Sequence, residues 1–513
     1  MLRISPTAAR SGAGTRVGIH AILSHRWSFA ALLALISIYV LFLLSNGTFQ
    51  LFAPELFSRA YGNMLMHMLH GEFTVDREVI GYEAFPRDGK AYSYFGIFSS
   101  LLRLVALPFT DVTQVELARL SCLTAVVIFI ALQLRMLLIV HDSLPAGARA
   151  PELLAVMVAA TVLSGPQIYI LASAWIYHEP ILWAAAMAAG FNLIVIRAAL
   201  TRDQLGGRDL VWLATLAGLA INTRPSIGVA LCLGTALLVL WAALQWHSAS
   251  DPDREISGRA GGLLKRLEPM ARDRRILAPI AILGWFAIVV GVVNFEKWGN
   301  PFTFADYRYA TYAEFQENAL EVLRNYGAFN LERLWVGALY YATGIPWLLK
   351  GVPPFAEFLH ARYQGIEAPP FTPLLTNPIT VLLAAVGLYR LWWKPDLPAR
   401  CRMILRLTLI GHSVAVLLIF TAMFLALRYR FDLAPFMTLA ALIGYRSVAI
   451  AAAGATESWR RRLRAAAIGL CVLGILFSHY VLVLHKVWSA GVPSDVRAAL
   501  VFLSPVSPFK TPP

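Results

Sequence analysis

Hydrophobic residues in this chain arrive in long blocks. Stretches of roughly 18–25 apolar residues recur along it, each long enough to cross about 30 Å of hydrocarbon as a helix. The pattern predicts about eleven helices, at about 28–45, 116–140, 152–170, 180–198, 209–223, 226–246, 277–295, 376–393, 404–425, 433–450 and 465–485. Two more apolar runs, 94–109 and 334–349, are predicted not to span. The first holds Arg103 and Pro108, and counting it would invert the sidedness of the Arg-rich loops from helix 3 onward. The second is interrupted by Gly344 and Pro346 and carries Trp335, Tyr340, Tyr341 and Trp347. Both are read as outer-side interfacial or re-entrant helices, where aromatic rings are favoured. A further amphipathic helix is expected after Pro54, with Leu56, Phe57, Ala60, Tyr61, Met64, Leu65, Met68 and Leu69 on one stripe.

Charge gives these helices a direction. Arg3, Arg10, Arg16 and Arg26 precede the first; Arg197, Arg202 and Arg208 separate the fourth and fifth. Arg254, Arg259, Lys265, Arg266, Arg272, Arg274 and Arg275 follow the sixth, Lys394, Arg400, Arg402 and Arg406 the eighth, and Arg460, Arg461, Arg462 and Arg464 the tenth. With the N-terminus inside and the helices alternating, all these loops are cytoplasmic, as the positive-inside rule requires. The net charge of +14 therefore reads as membrane orientation, with no nucleic acid as partner. A hydrophobic share of 58%, 14% charged residues and a mean hydropathy of +0.62 exclude an ordinary soluble domain. The first apolar segment lacks an A-x-A-like site and is read as a retained helix. Cys122, Cys232, Cys401 and Cys471 have no metal-site spacing and are read as apolar packing residues, with no disulfide. The expectation is one all-α polytopic membrane domain over residues 1–513. Its outer loops are about 46–115 and 296–375, and its outer C-terminal tail is about 486–513.

Candidate chemistry gathers on the outer side. The first outer loop carries Asp76, Glu83 and Asp88 beside Lys90 and Tyr92, and a carboxylate there can take a proton from a hydroxyl. The alternative is an ordinary solvated loop. His178 and Glu179 sit at an apolar boundary, where ionisable groups are costly unless paired or functional; an acceptor, a phosphate or a metal are the options, beside simple helix capping. Arg224, then Arg428, Tyr429 and Arg430, oppose the positive-inside bias, and Arg308 follows the exit of the seventh helix. Arginine is the preferred phosphate ligand because its planar fork donates parallel hydrogen bonds, though snorkelling anchors would look the same. No Walker A, GxGxxG or HExxH motif is present, so nucleotide hydrolysis and zinc proteolysis have no support.

These features together resemble the C-type (GT-C) superfamily of integral-membrane glycosyltransferases. The resemblance is carried by the large outer loop after the first helix and by Gly89–Gly96 (Gly-Lys-Ala-Tyr-Ser-Tyr-Phe-Gly) running into Leu101–Pro108. Thr223-Arg224-Pro225, Trp298-Gly299-Asn300-Pro301-Phe302 and Arg428-Tyr429 with Asp432, Leu433 and Pro435 complete it. Many members of the dolichyl-phosphate-mannose and aminoarabinose transferase type carry an Asp-Glu pair before a Tyr. Aligning that Tyr with Tyr61 sets Phe57 and Ser58 where the acids stand, so the role passes to Asp76, Glu83 or Asp88. The resemblance implies a polyprenyl-phosphate sugar donor, a glycan, lipid or protein acceptor, membrane lipid as surroundings, and Mg²⁺ or Mn²⁺ as the only cofactor. It also implies a bacterial inner membrane with a periplasmic site. Two rival readings are a lipid-linked sugar transporter, for which Arg135, His412 and His479 are the nearest mid-span ionisable groups, and a non-catalytic assembly protein.

Overall fold

The computed structural model describes residues 18–248, 273–311, 319–349, 351–367, 371–394 and 396–488. Arg3, Arg10, Arg16, Arg254, Arg259, Lys265, Arg266, Arg272 and the tail beyond residue 488 lie outside the described residues. Eleven principal helices run α1 (Arg26–Leu44), α2 (Ala118–Asp142), α3 (Pro151–Leu163), α4 (His178–Arg197), α5 (Gly207–Ile221) and α6 (Pro225–Ser248). They continue as α7 (Arg274–Trp298), α8 (Pro378–Trp392), α9 (Ala399–Thr421), α10 (Ala434–Ala453) and α11 (Glu457–Trp488). Among the described residues nine are long and apolar enough to cross a membrane once short flanking turns are included. The other two, α5 and α8, have 15 residues each, about 22 Å at 1.5 Å per residue. The chain is an all-α polytopic membrane protein.

Burial grades the helices by position. In α4 72% of the apolar window is buried, against 22% in α1 and α7, so α4 is central and those two are peripheral. Leu277, Ile280, Trp285, Ile288, Val292 and Phe295 form an exposed apolar face on α7, which suits hydrocarbon rather than water. Between helices, where lipid and protein are equally apolar, close packing supplies the attraction. Gly387 of α8 and Gly444 of α10 make such a crossing: a Cβ on either would stand 1.9 Å from a backbone oxygen of the other helix.

Cross-helix bonds sort the helix ends into two sets. His20 beside Asp142, and Arg464 beside Glu152, gather the chain before α1, the end of α2, and the starts of α3 and α11. At the opposite end Lys486 reaches Leu43 and Asn46, and Arg119 binds Glu55 at 2.7 Å. This second set carries the two large loops and is the site end below. The mid-span ionisable groups are engaged inside the bundle. Arg135 donates to Leu23 O at 3.0 Å, His412 Nε2 meets Asn192 Oδ1 at 2.7 Å, and His479 pairs with Tyr39.

Three expectations need correction. The amphipathic helix begins at Ala60 and ends at Leu69; Phe57 has φ +56°, so the chain turns before the helix and Leu56 and Phe57 lie outside it. Tyr61, Met64 and Leu65 are buried as the stripe requires, but so is Asn63, which is not one of its residues. The 94–109 run is a short helix, Phe98–Leu101, and a 3-10 turn, Leu102–Val105, and Arg103 in it is 3% exposed rather than interfacial. The 334–349 run does break at Gly344, whose φ of +77° ends the helix Leu334–Thr343.

Candidate active site

The site end is built from long-range pairings. A hairpin of β1 (Phe85–Arg87) and β2 (Lys90–Tyr92) leads into Ser93–Phe98, which is clamped from both sides. Lys297 of α7, 2% exposed, donates its Nζ to Ser93 O at 2.9 Å and Phe95 O at 3.0 Å. On the other side Phe98 N donates to Asn222 O at 3.1 Å. The approach is so close that a Cβ on Gly96 would lie 2.1 Å from that same oxygen. These contacts tie the loop after α1 to the α5–α6 turn, which carries Arg224.

Glu83 stands at the end of the 3-10 turn Gly81–Glu83 and is 7% exposed. Tyr177, just before α4, donates its hydroxyl to Glu83 Oε1 at 2.6 Å. Burial pushes the Glu83 carboxyl above its ordinary range, opposed by the Tyr177 hydrogen bond and by the Arg428 charge. A carboxyl raised this way is better matched to taking a proton near neutral pH than a free one.

From Tyr177 the cluster continues through faces and forks. The Arg428 guanidinium lies 4.8 Å from the Tyr177 ring and 5.3 Å from the Tyr429 ring. Arg224 lies 4.9 Å from the other residue's neighbour in the chain, the same Tyr429 ring. Arg428 Nη1 donates to Glu367 Oε1 at 2.6 Å, and Leu427 N donates to Glu367 Oε2 at 2.9 Å. Arg224 binds both oxygens of Asp432 through Nε and Nη2. Glu83, Tyr177, Arg428, Tyr429 and Arg224 are therefore one continuous chain of contacts, in which a buried carboxylate and two half-buried cations share half-buried aromatic rings.

Other sequence candidates fall elsewhere. Asp76 accepts from Asn63 Nδ2 at 2.6 Å and sits 3.2 Å from His67 Nε2, inside the first loop. Asp88 lies in the hairpin turn, its side chain 79% exposed, beside Arg87. Lys90 pairs with Glu72 at 3.1 Å on the surface, and Tyr92 packs near Trp298. Arg308 pairs with its neighbour Asp306 and its side chain is 74% exposed. His178 is half-buried near Ser173. Glu179 needs the plainest correction as a binding residue: Arg103 occupies both its oxygens at 2.6 and 2.7 Å, and Ser121 adds a donor at 2.8 Å. It is a structural counter-ion. Among the described residues no three His, Cys, Asp or Glu side chains come together as metal ligands.

Tyr177 and Glu367 are the participants that sequence reasoning did not nominate. Tyr177 was visible only as the neighbour of His178. Glu367 had no signal at all, because its partner lies 61 residues away.

No family model and no curated protein matches this sequence. The solved structures it is similar to include the Archaeoglobus fulgidus oligosaccharyltransferase in its apo form, at 13% identity and a TM-score of 0.46. That match covers 95% of this chain and 60% of the archaeal one. The archaeal AglB in complex with an inhibitory peptide and a dolichol-phosphate matches at 14% identity and a TM-score of 0.42, over 92% of this chain and 57% of that one. The same archaeal enzyme tethered to an acceptor peptide containing the NVT sequon matches at 14% and 0.43, over 94% and 58%. The chain thus spans about 60% of the length of these structures. Likeness at this level does not fix a family, and the functional reading rests on the side chains.

Proposed function

We propose that this protein is a GT-C-like glycosyltransferase that moves a sugar from a polyprenyl-phosphate donor to an acceptor hydroxyl at the site end of the bundle. That end is expected to face the periplasm of a bacterial inner membrane, because it is opposite the Arg-rich loops. Nucleotide sugars are absent there, so a lipid-linked donor follows from the expected topology.

Glu83 takes the proton of the acceptor hydroxyl, and the oxygen attacks the anomeric carbon from the face opposite the donor phosphate. The bond from that carbon to the phosphate oxygen breaks with its electrons, leaving the lipid phosphate as an anion and the sugar inverted. The arginines of the Leu427–Leu433 segment, with Arg224 behind them, meet that anion. Tyr177 holds the carboxylate of Glu83 and packs against Arg428, so the proton acceptor and the cation keep a fixed spacing.

One observation carries this reading: a buried carboxylate and an arginine cluster are joined through Tyr177. The test is Glu83→Gln in the native host and in purified protein. Transfer is expected to stop while insertion and thermal stability stay near wild type, with the acceptor glycan or glycolipid losing one sugar by mass spectrometry. An unchanged glycan profile in Glu83→Gln would remove the base and the reading with it.

A further inference from the structure

The turn Gly81–Glu83 is 3-10, with three residues per turn, so adjacent side chains leave it about 120° apart. Glu83 goes inward and is 7% exposed, whereas Tyr82 goes outward and is 48% exposed. Asp76, Arg77 and Glu78, shortly before the turn, are exposed too, so this flank of the loop meets water. Tyr82 is held there edge-on to Phe57, with ring centres 4.9 Å apart.

Tyr177 stands between the two. Its hydroxyl is hydrogen-bonded to Glu83 Oε1, at 2.6 Å, and to the Tyr82 hydroxyl. A phenol has one hydrogen to give, and an ionised carboxylate can only accept. The Tyr177 hydrogen therefore goes to Glu83, and Tyr82 donates its own to the Tyr177 oxygen. The row has a direction: Tyr82 to Tyr177, Tyr177 to Glu83. It joins solvent to a carboxylate with almost no surface of its own.

A base so placed must also be emptied. Each transfer leaves one proton on Glu83, and the next cannot begin until that proton is gone. Among the described residues, the other titratable groups facing Glu83 are Arg428 and Tyr307. The first is already a cation, and burial raises the Tyr307 phenol above its ordinary range. Burial and the Glu83 charge do the same to Tyr177, so it does not ionise. Such a hydroxyl passes a proton only by losing one as it gains one.

We propose that Tyr177 and Tyr82 are the path by which Glu83 returns its proton to water. Once neutral, the Glu83 acid turns its O–H toward Tyr177, rotating about its last side-chain bond, where the torsion is broad. The two hydroxyls turn with it, Tyr177 toward Tyr82 and Tyr82 toward water. The Glu83 hydrogen then passes to Tyr177, the Tyr177 hydrogen to Tyr82, and the Tyr82 hydrogen to a water molecule. Three O–H bonds break and three form, hydronium leaves, and Glu83 is a carboxylate again. Afterwards Tyr177 points its hydrogen at Glu83 and Tyr82 points its own at Tyr177. That is the order the structure holds, so the resting row is the emptied state of the base. Tyr82 acts through Tyr177 and touches no reacting atom. The proposal rests on the glycosyl-transfer reading only for the source of the proton.

The experiment follows protonation of Glu83 in the full chain in detergent by time-resolved infrared spectroscopy after a laser-released proton. A path that carries protons out carries them in, and the Glu83 carboxyl band is the one missing in Glu83→Gln. Tyr82→Phe keeps the ring against Phe57 and removes only the outer hydroxyl. It is expected to slow the rise of the band by about tenfold or more while the final height at each pH stays near wild type. Altered packing around Glu83 would instead move the final height. Tyr82→His puts a proton-carrying ring at the same place and is expected to restore the speed. Wild-type speed in Tyr82→Phe overturns the path, and so does a slow rise that Tyr82→His leaves slow. The two proposals fail separately. Glu83→Gln that still transfers sugar defeats the reaction and spares the path, whereas Glu83→Gln inactive with Tyr82→Phe fast does the reverse.

Discussion

Replacing Arg103 with Leu should be among the most destabilising single changes in the chain. Its two terminal nitrogens donate to the two oxygens of Glu179 at 2.6 and 2.7 Å, and the side chains are 4% and 1% exposed. With the arginine gone, the carboxylate keeps only the Ser121 hydroxyl at 2.8 Å. Breaking one side of a buried pair costs about 3–5 kcal/mol because the remaining charge is uncompensated. Glu179→Leu should cost a similar amount by stranding the guanidinium. The double variant strands neither charge. Ser121 loses an acceptor but still receives the Trp183 indole N–H at 2.9 Å, so about 1–2 kcal/mol should be lost. The two singles therefore sum to far more than the double, with a coupling of roughly 4 kcal/mol or more. Equilibrium unfolding of the four proteins in mixed micelles reads this directly. A double variant whose loss equals the sum of the singles would show that the pair is not the anchor the geometry makes it.

Two further outcomes follow from the site. Tyr177→Phe removes the hydrogen bond that pulls the Glu83 carboxyl down, so its pKa should climb further from the ordinary carboxylate range. A base must be ionised to act, so the acidic limb of the pH–rate profile should move to higher pH; a limb that stays in place separates Glu83 from the proton transfer. Gly96→Ala drives a methyl group to 2.1 Å from Asn222 O and should cost about 1–3 kcal/mol through overpacking, with transfer falling as the clamped segment shifts. Thermal melting beside initial rates checks both halves, and a neutral Gly96→Ala would mean the α5–α6 turn yields freely.

Block hydrophobicity and the sidedness of arginine made all eleven principal helices readable, because a spanning helix answers mainly to its own composition. Even the broken run at Gly344 was legible, since a left-handed glycine is a local event. Pairings were not. Arg103 looked like an interfacial cation until Glu179, 76 residues away, claimed it. Asp76 and Glu83 are alike in sequence, seven residues apart, yet the first turns to Asn63 and the second to Tyr177. That choice is made by the fold of the loop, and no spacing rule encodes it.

The bond between Arg224 and Asp432 joins residues 208 positions apart. At about 5–20 residues per second, a ribosome needs about 10–40 s to deliver the second after the first. Throughout that interval the guanidinium has no mate, and hydrocarbon is the one place it is least able to wait. The α5–α6 turn must therefore linger in water at the membrane edge, and its burial is an event of completion, reserved for the moment when α10 has emerged.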